Sequence, residues 1–246
     1  MSARIRLCGR LEVELGGVRI EQRLPGRQGP LVLALLALNR SRPVSRGELI
    51  GALWPERPPA DPDEALSALL SKVRQAVGRD VLTGRRELSL ALPADAEIDV
   101  ERAEAAAERA RAALAAGDAA TAWASASETV EIAGRGLLPG HDAPWVHERR
   151  AELEDVRLHA LELRARAGLE LGGEHAAGAE RAAAELVRAA PLREAGHRLL
   201  MEALAARGRE AAGGAASPVS SRACSARVAS PGAVPSSSRN RTRRDS

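Results

Sequence analysis

Asp61-Pro-Asp-Glu-Ala-Leu-Ser-Ala-Leu-Leu-Ser-Lys-Val-Arg-Gln-Ala-Val-Gly78, followed by Val81-Leu-Thr-Gly-Arg-Arg-Glu-Leu-Ser-Leu-Ala-Leu92, is the stretch whose pattern decides the architecture. Asp61 offers a side-chain acceptor to a helix start, with Pro62 at the first helical position and Glu64 at the third. Leu66, Leu69, Leu70, Val73 and Val77 then recur with the 3.6-residue period of a helix with one buried face. Gly78 ends the helix. Ser67, Ser71, Lys72, Arg74 and Gln75 fall on the outer face. Beyond it, residues 81–83 and 88–92 read as strands flanking Gly84-Arg85-Arg86-Glu87, a hairpin with two arginines at its tip.

Working towards the N-terminus, Ser45 with Glu48 three residues on is a capping box, and the short helix after it presents Leu49, Ile50, Leu53 and Trp54 before Pro55 stops it. Residues 27–39 carry a helical pattern containing Leu31, Leu35, Leu36 and Leu38. Residues 4–21 alternate apolar and polar, with Gly16-Gly17 as a hairpin turn between two runs. Strands, three helices and a hairpin, in that order, are the order of a winged helix carrying extra N-terminal strands.

After Pro93 the pattern is helical, with helices expected near 99–116, 118–133, 147–171, 174–189 and 192–207. Paired helices, short turns and abundant Ala resemble tetratricopeptide-like repeats. The expected fold is therefore α+β, a winged helix-turn-helix over residues 1–95, followed by an all-α tetratricopeptide-like domain over 96–210. Residues 211–246 are rich in Ser, Ala, Gly, Pro and Arg without apolar periodicity, and are expected to be a disordered basic tail. Either a natural flexible tail or a reading-frame shift in GC-rich sequence accounts for the abrupt change, and no function is assigned to it.

Charge follows the same division. Residues 1–95 carry 15 basic and 11 acidic side chains, a net +4, whereas residues 96–210 carry 15 and 21, a net −6. A basic head on an acidic body suits a nucleic-acid-binding module joined to a protein-binding one. Lys72 is the single lysine against 35 arginines, a bias that reflects a GC-rich genome more than site chemistry. With three Trp and neither Tyr nor Phe, the cores must be aliphatic, and Trp54, Trp123 and Trp145 are read chiefly as packing residues.

Several function classes find no support. No phosphate loop, His-Glu-x-x-His, Cys-x-x-Cys or Gly-x-Ser-x-Gly motif occurs, and His141 and His147 have no nearby cysteine to complete a metal site. Cys8 and Cys224 make no disulfide scaffold and are read as a buried and a surface thiol. The longest apolar run, residues 31–38, is too short to span a bilayer, and no signal peptide is visible. The expectation is a cytoplasmic protein that is not an enzyme, binds no cofactor and does not enter membranes.

The ordered motifs resemble the actinobacterial antibiotic-regulatory type of transcriptional activator, in which an OmpR-like winged helix precedes a bacterial transcriptional activator domain. The resemblance rests on residues 7–13 with Gly16-Gly17, Arg27-Gln28, residues 44–50 with Leu53-Trp54, Ala65-Leu66 and Ser71-Lys72-Val73-Arg74. It continues through Pro144-Trp145-Val146, residues 149–153, Pro191-Leu192-Arg193-Glu194 and residues 199–204. It implies sequence-specific binding of double-stranded promoter DNA, contact with RNA polymerase and action as a homodimer on repeated sites.

On that reading the 62–77 helix enters the major groove, with Ser67, Ser71 and Gln75 towards base edges and Lys72 and Arg74 on phosphates. Arg85 and Arg86, at the wing tip, reach the backbone or the neighbouring minor groove. The chain departs from the family in three places. Arg86-Glu87 replaces the usual Gly-Tyr of the wing, the outward residues of the third helix are short, and the final repeat helix is missing. The first two bear on DNA preference and affinity, the third on the completeness of the repeat domain. The alternative expectation is a protein-interaction scaffold whose winged helix has lost useful DNA affinity.

Overall fold

The computed structural model describes residues 2–215. Three strands begin it: β1 (Ala3–Arg6), β2 (Glu12–Leu15) and β3 (Val18–Arg19). β1 and β2 run antiparallel with Ile5 opposite Val13, so both side chains point to the same buried face. Helix α1 (Gln28–Leu38) follows a 3-10 turn at Glu21–Arg23. Its residues Val32, Leu33, Ala34, Leu36 and Ala37 are all buried, covering most of its circumference, so α1 is the central helix of the N-terminal half, packed on by the two helices and the strand that follow.

Strand β4 (Val44–Ser45) leads into α2 (Arg46–Leu53). The Ser45 hydroxyl accepts from the Glu48 N–H at 3.2 Å, and Glu48 accepts from the Ser45 N–H at 2.8 Å, so the expected capping box is present. Those contacts, the Ser45 backbone first and then its hydroxyl and Arg42, hold the Glu48 carboxyl below the usual range. Helix α3 (Pro62–Val77) starts where Asp61 accepts from the Glu64 N–H at 2.9 Å and buries Leu66, Leu70, Val73 and Val77. β5 (Leu82–Thr83) and β6 (Glu87–Leu90) form the hairpin, and β6 pairs with β4 on its other side.

The remaining described residues are helical apart from β7 (Glu97–Ile98) and the connecting loops. They form α4 (Asp99–Ala115), α5 (Ala119–Ala133), α6 (Pro144–Leu171), α7 (Ala176–Ala189) and α8 (Glu194–Ala215). Each packs on the next in sequence, and α4 and α8 also touch α6. Small residues let the axes approach: Ala103, Ala106 and Ala110 on α4 are buried beside Ala122 and Ala126 on α5. The Thr129 hydroxyl donates to the Ala103 carbonyl across that contact at 3.0 Å. Trp123 lies on Gly168 and Gly178, where an added Cβ would stand 2.6 and 2.4 Å from ring atoms. α8 runs to Ala215, so residues 211–215 are helical rather than part of the expected tail. Once a helix is nucleated each further residue adds a hydrogen bond, and Ala211 and Ala212 extend it readily. Residues 216–246, the rest of the expected disordered tail, with Cys224, lie outside the described residues.

The two halves share one core. Leu7, Cys8, Ile98, Val100, Ile132, Leu137, Leu138 and Val146 belong to the same buried cluster as α1 and α3. β7 adds parallel to β1, pairing Ile5 with Ile98. Directly after it, the buried Asp99 carboxylate accepts from the Leu7 and Cys8 N–H groups at 2.8 and 2.9 Å. The loop between α5 and α6 closes the joint, with Leu138 N donating to Leu7 O at 2.8 Å and Gly9 N to Gly136 O at 2.7 Å. Arg150 fixes that loop by donating to the carbonyls of Leu137, Leu138 and His141 at 2.7, 2.6 and 2.8 Å. Leu138 is held at φ +43°, a left-handed conformation costing a leucine about 1 kcal/mol or more, which this network must offset. No described helix is long and apolar enough to cross a membrane.

Candidate nucleic-acid interface

The outer face of α3 and the β5–β6 hairpin come together on one side of the molecule. Ser71, Lys72 and Gln75 are exposed on α3, and Arg85 and Arg86 are exposed at the hairpin tip. Between helix and hairpin is an open concavity lined by Ser71, Arg74, Gln75, Arg79, Thr83 and Arg85, with Leu82 at its floor. Among the described residues no carboxylate lines it.

Two of the residues expected to face a ligand are engaged within the protein. Arg74 donates from Nε to Leu82 O at 3.2 Å and from Nη2 to Gly84 O at 2.6 Å, so its guanidinium ties the hairpin to the helix. The Ser67 hydroxyl donates to Asp63 O at 2.7 Å and accepts from Arg46 Nη2 at 3.0 Å. Arg46 also pairs with Asp63 Oδ1 at 3.0 Å, locking the start of α2 to the start of α3. Helical angles explain this. At 100° per residue Ala68, Gln75, Ser71 and Lys72 lie opposite the buried stripe, whereas Ser67 and Arg74 lie at its edge, beside α2 and the hairpin.

The hairpin is held by backbone as well as by Arg74. The Arg46 N–H donates to Arg86 O at 3.1 Å, and β5 and β6 pair with Leu82 opposite Leu90. Gly84 makes the turn possible: its φ is +87°, and a Cβ there would sit 1.8 Å from Glu87 O. Arg85 and Arg86 are thus carried on a fixed ribbon rather than a free loop.

Sequence reasoning missed Arg46 and Arg79. Neither has a periodicity signal; Arg79 joins the concavity only because the chain turns after Gly78 and returns as the hairpin. Lys72, Arg79, Arg85 and Arg86 have no ion-pair partner among the described residues. The helical half behaves differently. Arg102 and Arg109 share Glu128, Arg157 pairs with Glu154 and Glu185, and Arg166 and Arg193 share Glu162. The solvent-facing pairs at Glu128 add about 0–1 kcal/mol each, whereas Arg157 and Glu162 are largely buried, and all of these pairs neutralise charge on the helical half. The concavity between α3 and the hairpin is left positive. Among the described residues no group of three or more His, Cys, Asp or Glu side chains is placed to hold a metal ion.

Residues 98–215 match the bacterial transcriptional activator domain. Over 195 residues the chain is 33% identical to the regulatory protein AfsR of Streptomyces griseus, covering 75% of this chain and 19% of that protein. AfsR of Streptomyces coelicolor is likewise 33% identical over 181 residues, covering 73% of this chain and 18% of that protein. The transcriptional regulatory protein EmbR of Mycobacterium tuberculosis is 33% identical over 87 residues, 35% of this chain and 22% of that protein. The chain therefore spans about a fifth of the length of the curated relatives it matches. A solved structure of Mycobacterium tuberculosis EmbR in complex with a low-affinity phosphopeptide superposes with a TM-score of 0.74 at 25% identity, covering 85% of this chain and 56% of that one. Residues 98–215 thus match a bacterial transcriptional activator domain, and the chain resembles actinobacterial regulatory proteins, among them a transcriptional regulator, over most of its own length.

Proposed function

We propose that residues 1–95 are a winged helix-turn-helix that binds promoter DNA sequence-specifically, and that residues 96–210 are a tetratricopeptide-like domain that contacts proteins, RNA polymerase among them, to activate transcription. The observation that carries this reading is the unpaired basic concavity between α3 and the hairpin, with no carboxylate among its described lining residues. An α-helix fits the major groove, and α3 offers Ser71 and Gln75 there as short hydrogen-bonding groups for base edges. Lys72, Arg79, Arg85 and Arg86 grip phosphates on either side. Ser67 and Arg74 act at the edge of the interface, setting α3 against α2 and the wing against α3. The protein works in the cytoplasm as a dimer on repeated half-sites. Exposed Leu192, in the turn before α8, and exposed Met201 and Leu204 on α8 support protein contacts by the helical half.

The test is fluorescence anisotropy of the full chain on duplexes from upstream of its own gene, against scrambled duplexes, over a salt series. Four phosphate-gripping cations per copy, hence eight in the dimer, give a slope of log K on log salt of about −7. Preference for the native duplex near physiological salt is the expected result. Equal binding to both duplexes, or none, would overturn the reading and leave a protein-interaction scaffold.

A further inference from the structure

Where the two halves meet, away from the α3–hairpin concavity, is a cleft of about 440 Å³. That is within the range of small-ligand sites, roughly 300–1,000 Å³. Its apolar surface comes from Leu31 of α1, Trp54 at the end of α2 and Pro144 at the start of α6. Its positive charge comes from Arg27 and Arg57, exposed cations without an ion-pair partner among the described residues. Glu56 and Asp142 also line it, matching the two arginines in number, and Arg150 behind the lining, 3.9 Å from Asp142, leaves one positive charge in excess. The positive ends of two helices add to that excess. Neither α1 nor α6 has a side-chain cap or an acidic residue in its first turn, unlike α3, which has both. The walls are set in advance: α1 is embedded in the core, and Arg150 holds the loop that ends at Pro144.

We propose that this cleft binds a small anion with a flat apolar body, an aromatic or alicyclic carboxylate, sulfonate or phosphate, its body against Trp54, Leu31 and Pro144 and its charged group between Arg27 and Arg57. His141, on the same wall, reports occupancy. Its pKa is held below the usual histidine value by burial first, then by Arg27 and Arg150, with Asp142 opposing and Glu56 and Arg57 across the cleft. An anion at Arg27 offsets that repulsion, so the His141 pKa rises on binding and binding tightens as pH falls through it. The site is independent of DNA binding, since no α3 or hairpin residue lines it.

The probe is 8-anilino-1-naphthalenesulfonate, titrated into the full chain and followed by fluorescence. The same titration uses neutral 1-anilinonaphthalene, which lacks the sulfonate. One saturable site is expected, weakened by about tenfold or more both for the neutral analogue and in the Arg27→Glu/Arg57→Glu variant. Both arginines are exposed and make no ion pair among the described residues, so the variant keeps the wild-type far-ultraviolet circular dichroism. The Met201→Glu/Leu204→Glu variant, which removes exposed apolar surface on α8, leaves binding unchanged. In wild type, proton NMR of the His141 ring shows its titration shifting upwards with probe bound. No saturable site, binding that survives Arg27→Glu/Arg57→Glu or is lost with Met201→Glu/Leu204→Glu, or an unmoved His141 titration would overturn the proposal.

Discussion

Asp99→Ala removes the acceptor that joins the N-terminal strand to the first helix of the helical half. Two N–H donors, Leu7 at 2.8 Å and Cys8 at 2.9 Å, lose their partner in a buried setting. An unsatisfied buried donor costs about 1–3 kcal/mol, so the pair costs about 2–6 kcal/mol before relaxation. Removing the carboxyl also relieves its burial, which pushes the Asp99 pKa above the usual aspartate value despite the pull of the Leu7, Cys8 and Val100 N–H groups. The net loss is about 2–4 kcal/mol, and for a chain of this length each kcal/mol lowers Tm by about 2–4 °C. Thermal unfolding followed by circular dichroism should therefore show a Tm lower by about 4–15 °C. A Tm within about 2 °C of wild type would refute the claim that Asp99 holds the joint. The pH dependence has a definite sign. A folded-state pKa above the unfolded one means the folded protein holds this proton more tightly. That contribution is fully present below the unfolded aspartate pKa and is lost as pH rises through the folded value. The stability difference between wild type and Asp99→Asn should therefore shrink from pH 3.5 upwards in urea titrations, at about the unfolded aspartate pKa and beyond.

Arg74→Ala should free the hairpin: amide hydrogen exchange at 82–84 rises severalfold, DNA affinity falls, and Arg74→Lys fails to restore either, because one ammonium cannot reproduce a guanidinium spanning Leu82 O and Gly84 O. Arg85→Ala/Arg86→Ala should leave Tm unchanged and lower the magnitude of the salt slope in anisotropy titrations by about 2 per bound copy, about 4 for a dimer. Gly178→Ala places a methyl 2.4 Å from the Trp123 ring, so it should destabilise by about 1–3 kcal/mol in urea and alter tryptophan emission.

The locally encoded parts of the fold were legible. The capping box at Ser45, the Asp61 cap and the Gly78 stop place α2 and α3 because each is decided within a few residues of chain. The period-two runs around Gly16-Gly17 likewise read as β2 and β3. Long-range pairings left no such trace. β7 is two residues long and exists because β1 offers it an edge, and Asp99 bonds to residues more than ninety positions away. Nor does sequence show that the proposed 95/96 division crosses a continuous core. At the candidate interface, helical periodicity placed Ser71, Lys72 and Gln75 outwards, but gave no warning that Arg74 and Ser67 are committed to internal hydrogen bonds. Their partners arrive from the hairpin and from α2, so only the folded arrangement reveals them.

The central claim is that α3 lies in the major groove, and affinity cleavage tests it most directly. In a Cys224→Ser background, Ser71→Cys carries an iron chelate on the outer face of α3 while Cys8 stays buried. On the upstream duplex the account predicts strand scission confined to a few adjacent nucleotides in each half-site, and none from a chelate at Arg181→Cys on α7. Scission absent from Ser71→Cys, or spread evenly along native and scrambled duplexes alike, would contradict it.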